Sequence, residues 1–343
     1  MYLFFHPLKA KHAARKLGRK KRTAMQNGSN SIIQPAGFYI DALSSMPYSN
    51  IYVMFLTVLY VITIIFNVFL ISIIFYDHCL HVPKFMAVGN LALVDLFLGT
   101  SLMPSMIKTC IVLDNFVPFK LCLVQMYTYY TFLFLEPFSL CILAYGRFIA
   151  ICFPLRQESI NTNTRMTSII LWLFCFVIAL YAVTSIPTLS FCGSLEVHSY
   201  FCDYAPVLVL ACGDTTTQWN FVTALTILFI TVPLIFIFLT YMGILTAVFR
   251  MKSNQSRFKA LATCTEHLIL VALFFIPIVI IFCFTFFGII WNPSVGLVSL
   301  SLSSLITPCV NPILYSLKTK EIRSRIHSLL TQRLSFISIA LLS

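Results

Sequence analysis

The segment LAYGRFIAICFPL, residues 143–155, closes a long apolar run with a single arginine, Arg147. An arginine at the edge of a membrane helix is costly unless it has a partner or a task. The composition indicates a membrane environment, because 59% of the 343 residues are hydrophobic and only 10% are charged. A soluble domain would carry about 25% charged residues. We therefore predict a membrane protein in which Arg147 marks the end of a span.

Apolar runs of about 20 residues, the length that crosses a bilayer, recur along the chain. Their approximate bounds are 51–76, 85–106, 121–151, 166–186, 219–248, 260–287 and 293–315. Basic and apolar residues at helical spacing over 317–330 indicate an amphipathic helix on the lipid surface. We predict an all-α membrane protein with a seven-transmembrane helix bundle at 51–316. An extracellular N-terminus at 1–50 precedes it, and a cytoplasmic tail at 317–343 with a short amphipathic helix follows.

The basic residues near the spans predict the orientation. One side of the bundle has Lys84, Arg147, Arg156, Arg165, Arg250, Lys252, Arg257, Lys259, Lys318, Lys320, Arg323 and Arg325. The other side has only Lys108 and Lys120, apart from a basic arm far from the first span. Short loops on the cytoplasmic side are rich in Lys and Arg. The N-terminus is therefore expected outside a multi-pass plasma-membrane protein.

The basic arm accounts for most of the net charge. Eight of the 23 basic residues precede Met25 with no acid among them, which leaves a net charge of +4 out of +12 for the remainder. Residues 1–24 are interpreted as a disordered arm, with a lipid- or anion-binding arm and a translation start at Met25 as alternatives. No nucleic-acid partner is expected. Asn27, in Asn27-Gly28-Ser29, is a candidate glycosylation site on an extracellular N-terminus.

Asp95 and Glu136 are acidic residues predicted deep in the bundle, in the second and third spans. An ionised carboxylate there needs a partner. One interpretation is a protonated carboxyl group bonded to Asn67, Asn311 or a serine. The other is a shared cation, with Ser304 and Asn311 as neighbours. Two nearby carboxylates repel each other, which favours a shared proton or a bound cation.

Two further patterns concern the outer side and the seventh span. Four cysteines are predicted on the oxidising outer side, where disulfides persist. They are Cys122, Cys192, Cys202 and Cys212. Four cysteines can form disulfides in three different pairings. Residues 308–315, PCVNPILY, interrupt a helix with two prolines, each freeing a carbonyl group. This segment is either an inert kink or a hinge.

No phosphate-binding glycine loop or HExxH motif is present, so no enzyme is expected.

Five segments together resemble the odorant receptor branch of the rhodopsin-like G-protein-coupled receptors. They are LHVPKFMAVGNLALVDL (80–96), LAYGRFIAICFPL (143–155), FCGSLEVHSYFCDYAPVLVLACGDT (191–215), KALATCTEHL (259–268) and PCVNPILYSLKTKEI (308–322). The resemblance covers about residues 40–325. It implies a receptor in which a small odorant activates a G protein of the stimulatory olfactory type and raises cAMP.

The resemblance also implies particular sites. Disulfides are expected for Cys122–Cys202 and Cys192–Cys212, and a sodium site near Asp95 and Glu136. No other cofactor is expected. The implied switch and G-protein-coupling residues are Arg147, Tyr241, Asn311, Pro312 and Tyr315.

Odorants in this family bind between the outer halves of the third, fifth, sixth and seventh spans. We expect a mainly apolar pocket formed by Met126, Tyr129, Tyr130, Leu133, Phe275, Val279, Phe282, Ser301 and Ser304. No charged side chain is expected on that face, which argues against charged amino-acid ligands.

The chain departs from the family pattern beside Arg147. The usual Asp-Arg-Tyr is Gly146-Arg147-Phe148 here, so the acid that restrains the arginine in related receptors is missing. Glu266 stands where the family has serine. We hypothesise that Glu266 takes over part of this restraint; the rival hypothesis is a weaker restraint with raised resting signalling.

Two alternatives to an odorant receptor stay open at this stage. A transporter or channel would be expected to show inverted repeats and broken spans, and the two halves of this chain share no visible repeat. A receptor for a peptide or lipid is the second alternative, although the N-terminal segment after Met25 is too short for a separate peptide-binding domain.

Overall fold

The computed structural model describes residues 34–41, 48–154, 157–192, 194–286, 293–318 and 322–325. The basic arm and the candidate sequon at Asn27 lie outside these ranges. So does most of the expected amphipathic helix at 317–330, of which residues 317–318 and 322–325 are described, and these are helical.

Seven helices of the described chain are long and apolar enough to cross a membrane. They are α1 (Ser49–Tyr76), α2 (Pro83–Cys110), α3 (Phe119–Cys152), α4 (Gln157–Thr184), α6 (Thr216–Arg250), α7 (Asn254–Phe286) and α8 (Pro293–Lys318). A short helix, α5 (Tyr204–Val209), lies in the link between α4 and α6. Each predicted span overlaps one long helix, which confirms the seven-transmembrane fold.

The third span, α3, is central, because it packs against α2, α4, α6 and α7. Helix α1 packs against α2 and α8. The apolar window of α8 is 61% buried, whereas that of α1, α4 and α6 is 28% buried. The peripheral helices therefore present most of their apolar surface to lipid, and polar side chains concentrate on the inner helices, where they can find partners.

A small sheet covers the end of the bundle that carries the α4–α6 link; we call this the outer end. Strand β1 (Gly37–Ile40) pairs antiparallel with β2 (Phe116–Pro118) and parallel with β3 (Glu196–Val197), giving the order β2-β1-β3. Gly37 is required by a close approach, since a Cβ atom there would collide with the Val117 carbonyl oxygen. These strands have only four, three and two residues, and no pattern in the sequence predicts them.

The sheet seals the outer end with apolar side chains. Phe38 and Ile40 of β1 point into the core and are fully buried, while Tyr39 between them is half exposed. This alternation is the period of a strand with one buried face. Phe38 packs against Phe119 and Phe191, so the N-terminal strand is fixed to both the third span and the α4–α6 link.

Candidate functional site

A cavity lies beneath the sheet, between the outer halves of the helices. About 110 Å³ of it is open to the centres of water molecules, while about 10–15 Å³ suffices for one water. It therefore has room for a small organic molecule. The described residues that line it are Tyr129, Tyr130, Leu133, Phe134, Pro137, Ala182, Asp203, Tyr204, Val222, Leu225, Thr226, Phe229, Ile230, Phe274, Ile278 and Leu300.

Three of the nine expected pocket residues, Tyr129, Tyr130 and Leu133, line this cavity. On the sixth span, Phe274 and Ile278 line it instead of the expected Phe275 and Val279. The side of α7 that faces the cavity is thus rotated by one residue from the expected side. Helix α7 is apolar on all sides here, so its sequence contains no polar residue that fixes the rotation.

The other expected pocket residues have different positions. Met126 is buried in the apolar cluster under the sheet, and Ser301 bonds to Tyr52 Oη at 2.5 Å. Ser304 lies behind the cavity wall, 3.4 Å from Tyr129 Oη. The side chain of Phe282 lies outside the described part of the chain. Contact between these side chains and a ligand stays a prediction.

The expectation that no charged side chain lies on the pocket face is wrong, because Asp203 lines the cavity. Its side chain is 3% exposed, and its Oδ1 accepts a hydrogen bond from Tyr130 Oη at 2.5 Å. Burial raises the pKa of this carboxyl group. Asp203 comes from the α4–α6 link, whose path over the bundle cannot be read from helical periodicity.

Two disulfides hold that link in place, Cys122–Cys202 and Cys192–Cys212. This is the pairing that the family resemblance implied. The first bond ties the start of α3 to the residue before Asp203, so it positions the carboxylate over the cavity. The second closes the link on itself.

A cluster of buried polar groups lies deeper in the bundle. Asn311 Nδ2 donates to both carboxylate oxygens of Asp95, at 3.1 and 2.9 Å. Both oxygens of Glu136 are buried without a hydrogen-bond partner, as are Asn67 Oδ1 and Asn311 Oδ1. These groups are all acceptors. Hard cations prefer oxygen ligands of this kind, so the donor set fits a sodium ion.

Asn67 links the first and seventh spans at the same depth. Its Nδ2 donates to the carbonyl oxygens of Thr63, at 2.9 Å, and Pro308, at 3.0 Å. The Pro308 carbonyl group would normally accept from the residue four positions later, but Pro312 has no N–H group. Asn67 therefore satisfies the carbonyl group that the second proline of PCVNP frees.

A hydrogen-bonded chain crosses the bundle nearer the end opposite the sheet. Tyr241 Oη lies 2.8 Å from His267 Nδ1, and His267 Nε2 lies 3.0 Å from the Leu140 carbonyl oxygen. A carbonyl group only accepts, so Nε2 carries the proton and Nδ1 accepts from the tyrosine. The chain joins the third, fifth and sixth spans.

Arg147 lies close to this chain. Its charge acts on Tyr241, His267 and Tyr315, although Tyr315 Oη has no partner at hydrogen-bonding geometry. Glu266 also acts on Tyr315. Among the described residues, no ion pair within 4.0 Å joins Arg147 to Glu266. The hypothesised restraint by Glu266 is therefore not a direct salt bridge in this conformation.

The residues on either side of Arg147 are accommodated differently. A Cβ atom at Gly146 would meet no atom within 4 Å, so nothing nearby requires glycine there. Phe148, by contrast, packs on Gly243 of the fifth span, where a Cβ atom would come within 2.6 Å of the ring. The phenylalanine of Gly146-Arg147-Phe148 thus fixes the third span against the fifth.

Comparison with known proteins identifies the family. The olfactory receptor family model matches residues 56–333. Olfactory receptor 10A2 of Homo sapiens is 33% identical over 301 residues, which are 86% of this chain and 98% of that protein. Olfactory receptor 1M1 of Mus musculus is 30% identical over 286 residues, which are 81% of this chain and 88% of that protein.

The chain belongs to the olfactory receptor family. It is a multi-pass membrane protein with odorant receptor function, and it is not an enzyme. As a family, olfactory receptors bind odorants and G proteins.

Two residues of this olfactory receptor have buried polar contacts in the structure although no sequence pattern predicted a role for them. Asp203 follows Cys202, and its acidic character in an otherwise apolar stretch was the available signal. His267 lies inside the KALATCTEHL segment, next to Glu266. A histidine in the apolar part of a membrane helix needs a partner, and here it has two.

Proposed function

We propose that this olfactory receptor lies in the plasma membrane with its N-terminus outside and binds a small odorant in the outer cavity. Binding activates a stimulatory G protein of the olfactory type and raises cAMP. The observation that carries the proposal is the combination of a mainly apolar cavity at the outer end with Arg147, which ends the third span at the opposite end. The excess of Lys and Arg at that opposite end supports its cytoplasmic location.

The route from cavity to arginine follows the third and seventh spans. Tyr129 lines the cavity and touches Ser304. Two turns further along the two helices are Glu136 and Asn311, in the polar cluster. Pro312 then removes one backbone hydrogen bond of the seventh span before Tyr315, on which Arg147 acts. A ligand that favours one arrangement of the seventh span shifts the population of the cytoplasmic end.

The test is a cAMP assay in cells that express the receptor with an olfactory-type Gα subunit, screened with small odorants. Arg147→Ala should abolish the odorant response without lowering the amount of receptor at the cell surface. Lys120→Ala is the matched control, because it removes an exposed cation from the outer end of the same helix, and its response should be unchanged. An odorant response that survives Arg147→Ala, or solute flux without a G protein, would contradict the proposal.

We further propose that Na⁺ binds between Asp95 and Glu136. The support is the excess of buried acceptor oxygens over donors in this cluster. A bound cation offsets the repulsion between the two carboxylates and stabilises the folded receptor by mass action.

Melting of the purified receptor in NaCl and in choline chloride tests this. We expect a higher melting temperature in NaCl, a difference that Glu136→Gln removes. Glu196→Gln is the control, since Glu196 is exposed in the outer link and should keep the sodium effect. Equal melting of the wild-type receptor in the two salts would exclude the site.

A further inference from the structure

The outer cavity contains a carboxylate that no cation of the described chain neutralises. Asp203 is 3% exposed and forms no ion pair within 4.0 Å with any described Lys, Arg or His side chain. Its one side-chain hydrogen bond is from Tyr130 Oη, at 2.5 Å. A buried charge is stable only when it is paired and hydrogen-bonded. The backbone N–H groups of Tyr204 and Ala205 also act on this carboxylate, so what the described residues leave unmet is the opposite charge.

The hydroxyl groups that line the cavity have few protons to offer a ligand. Tyr130 donates its proton to Asp203. Thr226 Oγ1 donates to the Val222 carbonyl oxygen at 2.9 Å. A hydroxyl group has a single proton, so neither group has a proton left to donate to a ligand.

The hydroxyl proton of Tyr204 is also used within the protein, in a hydrogen bond to Ser185. Ser185 Oγ donates to the Ala182 carbonyl oxygen at 2.6 Å, so its proton is used. The contact of 3.0 Å between Ser185 Oγ and Tyr204 Oη is therefore a bond donated by the tyrosine. Only Tyr129, whose hydroxyl group shares a long contact of 3.4 Å with Ser304, keeps a proton that a ligand could use.

The cavity thus presents an anionic acceptor and three hydroxyl oxygens that already donate elsewhere. The rings of Tyr130 and Tyr204, with centroids 6.4 Å apart, both lie beside Asp203. Aromatic faces attract cations. The remaining wall is apolar, with Leu133, Phe134 and Phe229 among its residues.

We propose that the odorant of this receptor is a small apolar amine, whose ammonium group donates hydrogen bonds to Asp203. The inference rests on the proposed ligand-binding function of the outer cavity. An ammonium group meets both requirements of the carboxylate, a donor and an opposite charge. An alcohol meets only the first. Ethers and ketones only accept, and a carboxylate ligand would be repelled by Asp203.

Burial raises the pKa of Asp203, which is consistent with this assignment. Burial disfavours the ionised form of a carboxyl group, whereas an opposite charge close by favours it. An ammonium ligand would therefore be bound by the charged form of Asp203 and would stabilise that form.

The experiment compares compounds with one skeleton, cyclohexylmethyl, and different end groups: primary amine, alcohol, methyl ether, methyl ketone and carboxylic acid. Binding is measured as the shift in melting temperature of the purified full-length receptor, and signalling as cAMP in cells. We expect the amine to bind most tightly and the alcohol second. The ether and ketone should bind at least about tenfold more weakly than the amine, the usual effect of losing a hydrogen bond to a charged group.

Two variants assign the effect to Asp203. Asp203→Asn keeps the shape and removes the charge, so amine affinity should fall about tenfold or more, while alcohol affinity changes less. Asp214→Asn is the matched control, because Asp214 is an exposed acid of the same link, and the amine should bind it normally. If Asp203→Asn does not fold, the wild-type receptor supplies the test: the amine should bind at least about tenfold more tightly than the alcohol of the same skeleton, and equal affinities would contradict the assignment.

The outcomes separate this inference from the proposed function. If the ether, ketone or acid binds as well as the amine, or if Asp203→Asn keeps full amine affinity, the amine assignment is wrong while odorant binding stands. If no compound changes either melting or cAMP, both are contradicted. An amine that shifts melting without raising cAMP supports the amine assignment and contradicts the proposed coupling.

Discussion

Asn67 of the first span donates to the carbonyl oxygen of Pro308 in the seventh, at 3.0 Å, where Pro312 has removed the helical donor. The second proline of PCVNP is thus tolerated because a side chain from another helix replaces the lost hydrogen bond. The bond also connects the proline-containing part of the seventh span to the first span. Any bending at Pro308 must either break this hydrogen bond or move Asn67 together with the seventh span.

Asn67→Ala should therefore destabilise the receptor by about 1–3 kcal/mol, the cost of a buried unpaired carbonyl group. Pro312→Ala restores an N–H group for the same carbonyl. Asn67→Ala should therefore cost less stability in a receptor that also carries Pro312→Ala. We expect the double variant to lose less stability than the sum of the two single variants. Thermal unfolding of the purified variants measures this, and simple additivity would contradict the assignment.

Tyr241→Phe should weaken the packing of the fifth span against the sixth. The substitution leaves His267 Nδ1 buried without its donor, at an expected cost of about 1–3 kcal/mol. Tyr181→Phe is the control, because Tyr181 is 60% exposed on the fourth span and should melt like the wild type. An equal melting temperature for both variants would show that the buried hydroxyl group has no structural role.

Gly146 can be replaced without steric conflict, since a Cβ atom there meets nothing within 4 Å. Gly146→Ala should stabilise the third span by about 1 kcal/mol through helix propensity and leave resting cAMP unchanged. Gly146→Asp adds an acid next to Arg147 and should lower resting cAMP relative to the alanine variant. Comparing the two separates the charge from the backbone effect.

Glu266→Ser should change resting cAMP by less than Gly146→Asp does, because no direct ion pair joins Glu266 to Arg147 in the described structure. The measurement is resting cAMP at matched surface expression. A large rise in Glu266→Ser would instead support the restraint that we hypothesised from the sequence, acting across Tyr315.

Removing the two disulfides should have unequal effects. The Cys122–Cys202 bond joins residues 80 positions apart and the Cys192–Cys212 bond residues 20 apart. Loop-closure entropy predicts a loss about 1 kcal/mol larger for the longer loop. Replacing both members of each pair by serine avoids odd thiols. We also expect the first double variant to lose ligand binding, because Cys202 precedes Asp203; equal losses in the two variants would contradict this.

The seven spans could be predicted because lipid leaves the backbone little choice. Every buried amide must bond within its own helix, so length and hydrophobicity suffice. The buried acids Asp95 and Glu136 were found for the same reason, as polar groups in an apolar segment. Their partners were not determined, since which of Asn67, Asn311 and the serines faces Asp95 depends on packing between distant helices.

What the sequence could not predict has identifiable causes. The outer half of the sixth span has apolar residues on every side, so its rotation is set by neighbouring helices. Phe274 therefore lines the cavity where Phe275 was expected. The three strands have four, three and two residues, which is too short for a periodic signal. Asp203 reaches the cavity through a loop whose path depends on the disulfide at Cys202.

Strand β1 is synthesised before any of the spans, yet it is the middle strand of the sheet. Its neighbours come from the links after the second and fourth spans, so neither edge of β1 can pair until those links have emerged. Both edges of β1 are thus paired only when more than half of the molecule has been synthesised. A protease site placed at Tyr39, the half-exposed residue of β1, would be cut in unfinished molecules and protected in finished ones. Its cleavage would report whether assembly of the outer end is complete.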